Sequence, residues 1–283
     1  MIKIAIPNKG RLSEPVKELL EKAGIRIVEN GRKLSAPTSN KNIEVMFTRA
    51  ADIPWYVSSG AANVGITGED MIRESGVDVS RVFKLKLGSC RIGLAVPNDS
   101  KIKSRDDLYD GIRIATKLSK ITEDFLNDVG IKGKIIRMEG AIELAPNLGM
   151  ADAILDQVST GRTLAENGLR LVDTIFESTT YLISNKEVEK KNEIEELKLA
   201  FESISTAEEK RYIMANVTSE EELEKVVKVM PCMESPTVLK LAKEGEYCVH
   251  SVIDEGILLE TLRKLKEAGA EDILVMNMSR VLP

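Results

Sequence analysis

The segment DAILDQVSTGRTL, from Asp152 to Leu164, passes from an apolar run into Ser159, Thr160, Gly161 and Thr163. Short hydroxyls, backbone N–H groups and a glycine that lets the main chain come close are what a bound anion requires. The other use of such residues is a hydroxyl-capped helix after a strand. The loop has no G-x-x-x-x-G-K pattern, so it is not a P-loop. Cations stand elsewhere. Lys9 and Arg11 flank Gly10 just beyond the first apolar run, and Arg49 follows IEVMFT. A guanidinium suits bidentate contact with phosphate; for Arg49 the alternative is a salt bridge to Asp52. Arg91 reads equally as a substrate clamp or a strand-edge cation. His250 is the single histidine, which excludes His pairs, His–metal clusters and any triad built without it.

Such residues act together only if a scaffold gathers them. IKIAIP, IEVMFT, ANVGIT, RIGLAVP, IRIAT, KIIRM and ADAILD read as strands alternating with helices. Ser13 is expected to cap the first helix, whose Val16, Leu19, Leu20 and Ala23 share a face, with Gly24 ending it. Asp52 is the expected cap of the next helix, with Pro54 in its first turn and Trp55 in the core. A further capped helix is expected from Ser119 to about Val129. The alternation predicts an α/β fold with helices against a mostly parallel sheet. In open sheets of that kind ligands bind at the carboxyl ends of strands, where ADAILD delivers its hydroxyl loop. A helix starting near Thr163 would add unpaired N–H groups to the cradle. After TTYLISN a charged helix, NKEVEKKNEIEELKLAFESI, keeps apolar spacing through Ile194, Leu197 and Phe201. The tail beyond it reads βαββαβ, the ferredoxin-like order, with His250 in a structural place on a strand.

A chain of 283 residues can hold more than one core, since domains commonly run to roughly 100–200 residues. Apolar residues at 43% and charged residues at 30% are an ordinary globular composition. The net charge of −5 argues against nucleic acid or an acidic membrane as partner, though not against a small anion held by local donors. No apolar run approaches the roughly 20 residues of a membrane span, and MIKIAIPNKGRL has no signal-peptide core. A cytoplasmic location is therefore expected. Cys90, Cys232 and Cys248 are widely spaced and suggest neither a disulfide framework nor a zinc site. Cys90 reads as a small buried apolar residue.

The run ELAPNLGMADAILDQVSTGRTL, Glu143 to Leu164, resembles the signature of the ATP phosphoribosyltransferase family. KGRL (Lys9–Leu12), TRAADIP (Thr48–Pro54), GITGED (Gly65–Asp70), GSCR (Gly88–Arg91) and IAT (Ile114–Thr116) agree in order and spacing. MPCMESPTV (Met230–Val238) and LKEAGAEDILV (Leu265–Val275) are similar to the family's long form. There are two departures. Gln157 stands where the family usually has an aliphatic residue, and KLSK follows IAT where many members have a tyrosine–proline pair. The resemblance implies two periplasmic-binding-protein-like α/β lobes, residues 1–90 with 180–206 and residues 91–179. It also implies a C-terminal ferredoxin-like (ACT-like) regulatory domain at 207–283.

The reaction so implied moves the phosphoribosyl group of phosphoribosyl pyrophosphate to N1 of ATP's adenine and releases pyrophosphate. Lys9 and Arg49 would stabilise the leaving group, and Glu143 would accept the proton from the exocyclic amine. Asp156 would hold the ribose hydroxyls, and the loop Val158, Ser159, Thr160, Gly161, Arg162 and Thr163 the 5-phosphate. Gly10, Arg11, Asp70 and Arg91 would face ATP. Mg²⁺ is the implied cofactor, held mainly through the pyrophosphate rather than by protein ligands. Asn216, Ser235 and Thr237 lie where the family's motifs approach histidine, the implied inhibitor of a homo-hexamer or of a dimer in equilibrium with it. Two other functions use the same residues: a bilobal small-anion binding or sensor protein, and a phosphoribosyltransferase acting on another base.

Overall fold

A computed structural model of the chain describes residues 1–28, 34–187, 192–233 and 235–282. Contacts divide it into two compact units, Met1–Lys198 and Leu199–Pro283.

In the first unit the apolar runs become strands of a nine-stranded mixed sheet. The strands are β1 (Ile2–Pro7), β2 (Ser35–Pro37), β3 (Ile43–Thr48), β4 (Val64–Gly68), β5 (Ser80–Pro97), β6 (Arg113–Thr116), β7 (Lys134–Arg137), β8 (Ala153–Val158) and β9 (Leu169–Ser184). Helices α1 (Ser13–Lys22), α2 (Ile53–Ser58), α3 (Glu69–Ser75), α4 (Ser119–Asp128) and α5 (Arg162–Glu166) connect them. The order across the sheet is β2-β3-β1-β4-β9-β5-β8-β6-β7. Strands β1, β3 and β4 run parallel to one another, as do β6, β7 and β8, while β5 and β9 are antiparallel to each other and to their outer neighbours. The sheet is thus α/β in class but not mostly parallel, because two long strands reverse direction through its middle.

That reversal positions the site. β4 ends at Gly68 beside Thr180 of β9; β8 ends at Val158 beside Arg91 of β5, itself paired with Glu177 of β9. β4 and β8 reach this level from opposite directions, so the carboxyl ends of the two parallel sets meet head to head. The β5–β9 ladder breaks at the same place. Leu85 pairs with Thr180 and Cys90 with Ser178, so residues 86–89 stand against Thr179 alone, a bulge that bends the strand.

Both faces of the second half are packed. Ile92, Leu94, Ile114 and Phe125 form a core on one face, and Ala95, Ala115, Ile154 and Leu164 on the other. This is why the strands read as continuous apolar runs rather than alternating ones. Each large side chain so buried contributes roughly 1.5–3 kcal/mol.

Four local expectations are corrected. Ser13 is the first residue of α1, which has Leu12 at its N-cap and no side-chain cap; Asp52 sits at the N-cap of α2 but makes no capping bond. Ser119 likewise lies inside α4, its Oγ buried without a partner, and Glu74 of α3 accepts the N–H groups of Lys120 (3.2 Å) and Ile121 (3.1 Å) instead. Trp55 is not core: it is 56% exposed, because Ile53, Pro54 and Val57 form the buried side of α2.

Helix α6 (Asn192–Glu208) contains the boundary between the units. Residues 188–191, expected in this helix, and Glu234 of MPCMESPTV lie outside the described residues. The second unit holds β10 (Lys210–Val217), α7 (Glu220–Val229), β11 (Thr237–Lys240), β12 (Tyr247–Asp254), α8 (Leu258–Glu267) and β13 (Glu271–Asn277). Its antiparallel sheet runs β11-β12-β10-β13, the ferredoxin-like arrangement. Ser219 caps α7 by accepting the Glu222 N–H at 3.2 Å. Ile213, Val217, Val226, Val249 and Leu265 close the core. Among the described residues no helix is long and apolar enough to cross a membrane.

Candidate active site

β8 delivers the hydroxyl loop to the point where the strand ends meet. After Val158 the chain turns through Ser159 and Thr160, and Gly161 takes φ of 77°, the left-handed region where a Cβ is penalised. α5 then begins at Arg162. Ser159, Thr160 and Thr163 are exposed, whereas Val158 is buried and has only its main chain to offer a ligand. The Arg162 guanidinium donates to Glu166 at 2.7 Å, along its own helix, and the Arg162 N–H to Thr160 Oγ1 at 3.4 Å. Asp156, 9% exposed, closes the floor: its Oδ1 accepts the Gln157 N–H at 2.7 Å and lies 3.0 Å from Lys117 Nζ.

The KGRL loop after β1 reaches this loop directly. Arg11 donates from Nη1 to Ser159 Oγ at 3.0 Å and from Nη2 to Cys90 Sγ at 2.7 Å. Cys90 is buried as expected, and burial pushes its thiol up despite the guanidinium beside it, so it stays protonated and a poor nucleophile. Lys9 and Gly10 are exposed beside Arg11, and Arg49 is exposed past the end of β3. Neither Lys9 nor Arg49 makes an ion pair among the described residues, so the alternative of an Arg49–Asp52 bridge is not formed.

Asp70, the second residue of α3, is 2% exposed. Ser178 Oγ donates to its Oδ1 at 2.8 Å and accepts its N–H at 3.1 Å, and Gln157 Nε2 donates to its Oδ2. A Cβ on Gly68 would collide with Asp70 Oδ1, which explains the glycine there. With both oxygens occupied, Asp70 ties α3 to β8 and β9, and a direct contact with a ligand needs Ser178 or Gln157 to give way. Its neighbour Glu69 accepts from Arg81 Nε (2.8 Å), Arg81 Nη2 (3.1 Å) and Arg73 Nε (2.8 Å). Burial pushes the Glu69 carboxyl up, but the two guanidinium groups outweigh it and hold it below the usual glutamate value. Arg91 is half-buried in β5, between Val158 and Glu177 in the ladder. Glu143 is half-buried in the short turn Ile142–Leu144, and Ala141 before it holds a left-handed φ of 53°.

Residues 49–203 match the family model described as ATP phosphoribosyltransferase, and residues 207–280 match the one described as HisG, C-terminal domain. The chain belongs to the ATP phosphoribosyltransferase family. An ATP phosphoribosyltransferase of Methanococcoides burtonii is 46% identical over 288 aligned residues, covering 100% of both chains. One of Methanosarcina acetivorans is 44% identical, again over 100% of each. Among solved structures, a chain of the ATP phosphoribosyl transferase (HisG:HisZ) complex from Thermotoga maritima superposes with a TM-score of 0.63 at 32% identity, covering 71% of this chain and 99% of that one.

Other residues expected from the ATP phosphoribosyltransferase resemblance lie in the second unit. Asn216, half-buried on β10, donates from Nδ2 to Asp272 Oδ2 at 3.4 Å; Ser235 and Thr237 are exposed, Thr237 on β11 opposite His250. His250 Nδ1 lies 2.6 Å from Tyr212 Oη, and its Nε2 is buried without a partner. A cavity of about 470 Å³ lined by Pro97, Lys101, Tyr109, Arg113 and Asp152 opens at the amino ends of β6 and β8, the opposite end from the hydroxyl loop. Lys117 and Ser178 escaped sequence reasoning. Lys117 could have been found from the parallel pairing of IRIAT with ADAILD, but Ser178 had no local signal.

Proposed function

We propose that this chain transfers the phosphoribosyl group of phosphoribosyl pyrophosphate to N1 of ATP's adenine, releasing pyrophosphate, as the first step of histidine biosynthesis. What carries this reading at the level of geometry is the Arg11–Ser159 contact. It joins a cationic loop on one set of strand ends to a hydroxyl loop on the opposing set. The residues 1–90 with 180–206 and 91–179 then serve as two lobes that each bring part of the donor set.

The chemistry asks little of a base at the outset. Adenine N1 carries a lone pair and no proton, so attack on ribose C1 needs no prior deprotonation. Charge grows on pyrophosphate as C1 takes on oxocarbenium character, and stabilisation of that charge by fixed cations is the main demand. Lys9, Arg11 and Arg49 supply it, with Arg91 and Gly10 lining the ATP side. Asp156 holds the ribose hydroxyls and Ser159 to Thr163 the 5-phosphate, anchoring the end that does not react. Alkylation at N1 acidifies the exocyclic amine, and Glu143 accepts its proton. Among the described residues no group of three or more His, Cys, Asp or Glu side chains gathers as a metal cage. Mg²⁺ prefers oxygen ligands and few protein groups, and carried on substrate oxygens it would neutralise the leaving diphosphate. In the second unit Asn216, Ser235 and Thr237 bind histidine, and the chain works in the cytoplasm as a homo-hexamer or as a dimer exchanging with one. Inhibition requires histidine to prefer one of two states, since equal affinity for both shifts nothing.

The test is an ultraviolet assay with ATP, phosphoribosyl pyrophosphate, Mg²⁺ and pyrophosphatase, with and without histidine. A rise in adduct absorbance that histidine suppresses supports the whole reading. A rise that histidine leaves alone keeps the reaction and removes the inhibitor. Binding of phosphoribosyl pyrophosphate with no rise points to an anion-binding protein, or to another base as acceptor.

A further inference from the structure

The segment KLSK follows IAT at the carboxyl end of β6, and the reaction as described leaves it without a task. Thr116 of β6 pairs with Leu155 of β8 in a parallel ladder, so the next residues, Lys117 and Asp156, stand side by side at the strand ends. Their side chains meet at 3.0 Å. The backbone around Lys117 is clamped, because buried Thr116 donates its hydroxyl to the Leu155 carbonyl at 2.7 Å and accepts the Leu118 N–H at 2.8 Å. Only the lysine stem is left to move. Its side chain is 35% exposed against 12% for Asp156, so solvent reaches the cation more readily than the carboxylate.

The carboxylate is thereby committed on one side. Oδ1 takes Lys117 and the Gln157 N–H, whereas Oδ2 accepts no hydrogen bond from the described residues. An uncompensated carboxylate beside a loop that holds phosphate would repel a substrate carrying a phosphate and a diphosphate, and low exposure weakens the screening that would soften the repulsion. We propose that Lys117 is a positioning residue for phosphoribosyl pyrophosphate: it cancels the charge of Asp156 and holds that carboxylate so that Oδ2 receives a ribose hydroxyl. The inference rests on the function proposed above and adds to it a residue that acts through another, not on the phosphates directly.

The test is a cycle of Lys117→Met, Asp156→Asn and the double variant, with Lys117→Arg as the conservative control. Each is checked for a cooperative melt, assayed for both KM values, and titrated with phosphoribosyl pyrophosphate by calorimetry. Lys117→Met should raise the KM for phosphoribosyl pyrophosphate by about tenfold or more and leave that for ATP within about twofold, with Lys117→Arg restoring most of the loss. In the Asp156→Asn background the same change should cost less than about threefold, because the charge to be cancelled is gone. Equal losses in the two backgrounds, or an unchanged KM in Lys117→Met, overturn the proposal. A wild-type protein that binds phosphoribosyl pyrophosphate without forming adduct overturns the proposed reaction, and the calorimetric cycle then still decides the role of Lys117. Absence of binding by the wild type overturns both.

Discussion

Arg11 reaches Ser159 across 148 positions of sequence, Nη1 to Oγ at 3.0 Å, while its other terminal nitrogen donates to Cys90 Sγ. One guanidinium therefore holds the loop after β1, the loop after β8 and the first residue past the β5 bulge. A lysine cannot reproduce this, since it is a single point charge on a flexible stem. Arg11→Met should lower kcat/KM for both substrates by about a hundredfold, and Arg11→Lys should recover little of it. Steady-state kinetics with each substrate varied in turn gives the answer; a loss confined to one substrate would show that Arg11 serves only one half of the site.

Gly161 holds φ of 77°, and the nearest atom to a Cβ there would be Val158 Cγ1 at 4.0 Å. The cost of Gly161→Ala is therefore backbone strain, about 1–2 kcal/mol, rather than crowding. A loop displaced by that strain no longer presents its N–H groups to the 5-phosphate. The KM for phosphoribosyl pyrophosphate should rise about tenfold with that for ATP little changed, and Thr160→Val should act in the same direction more weakly. Equal rises in both constants would count against the loop's assignment.

Gln157 stands where the resembling family usually carries an aliphatic residue, yet Gln157→Leu should not be neutral. Its amide donates to Oδ2 of Asp70, a carboxylate only 2% exposed whose other side-chain donor is the Ser178 hydroxyl. Removing the donor leaves a buried acceptor unpaired and should cost about 1–3 kcal/mol in a urea titration. An unchanged midpoint would mean that another donor replaces the amide.

Glu69 gives a pH signature. Its folded carboxyl lies below the ordinary value of 4.5, because Arg81 and Arg73 overcome the effect of burial. A depressed carboxyl contributes its full stability above the unfolded value and loses it as pH falls through the folded value. Glu69→Gln should therefore destabilise the protein at pH 7, by about 1–3 kcal/mol, and the gap should shrink as pH drops below 4.5. Melting curves of both proteins across the acid range test this; a gap that stays constant with pH would place the effect in packing rather than charge.

Much of the scaffold was legible in residue order. IKIAIP, IRIAT and ADAILD became strands because strings of buried aliphatics suit a sheet covered on both faces, and IEVMFT joined them half-buried, with only Val45 and Thr48 fully enclosed. Two long strands were not. β5 begins at Ser80, well before RIGLAVP, and β9 carries Asp173 and Glu177 among residues that are mostly half-buried. Their side chains lie partly in solvent, so neither a continuous apolar run nor a clean alternation marks their full length. Trp55 misled for a similar reason: an aromatic in a helix suggests core, but which side of α2 faces the sheet is set by Ile53 and Val57.

Residue types and short spacings by themselves determined the chemistry on offer. They supplied the hydroxyl–glycine loop, the cations after two strands, an aspartate before the loop, the lone histidine in the tail and the βαββαβ order there. These depend on neighbours a few positions away. Only the tertiary structure decided which of these groups meet. Arg11 finds Ser159 over 148 positions and Gln157 finds Asp70 over 87 because β5 and β9 reverse the sheet and turn two sets of strand ends toward each other. Lys117 finds Asp156 because a parallel register sets them side by side. Strand order and register are long-range choices made by packing both faces of one sheet at once, and no local pattern encodes them.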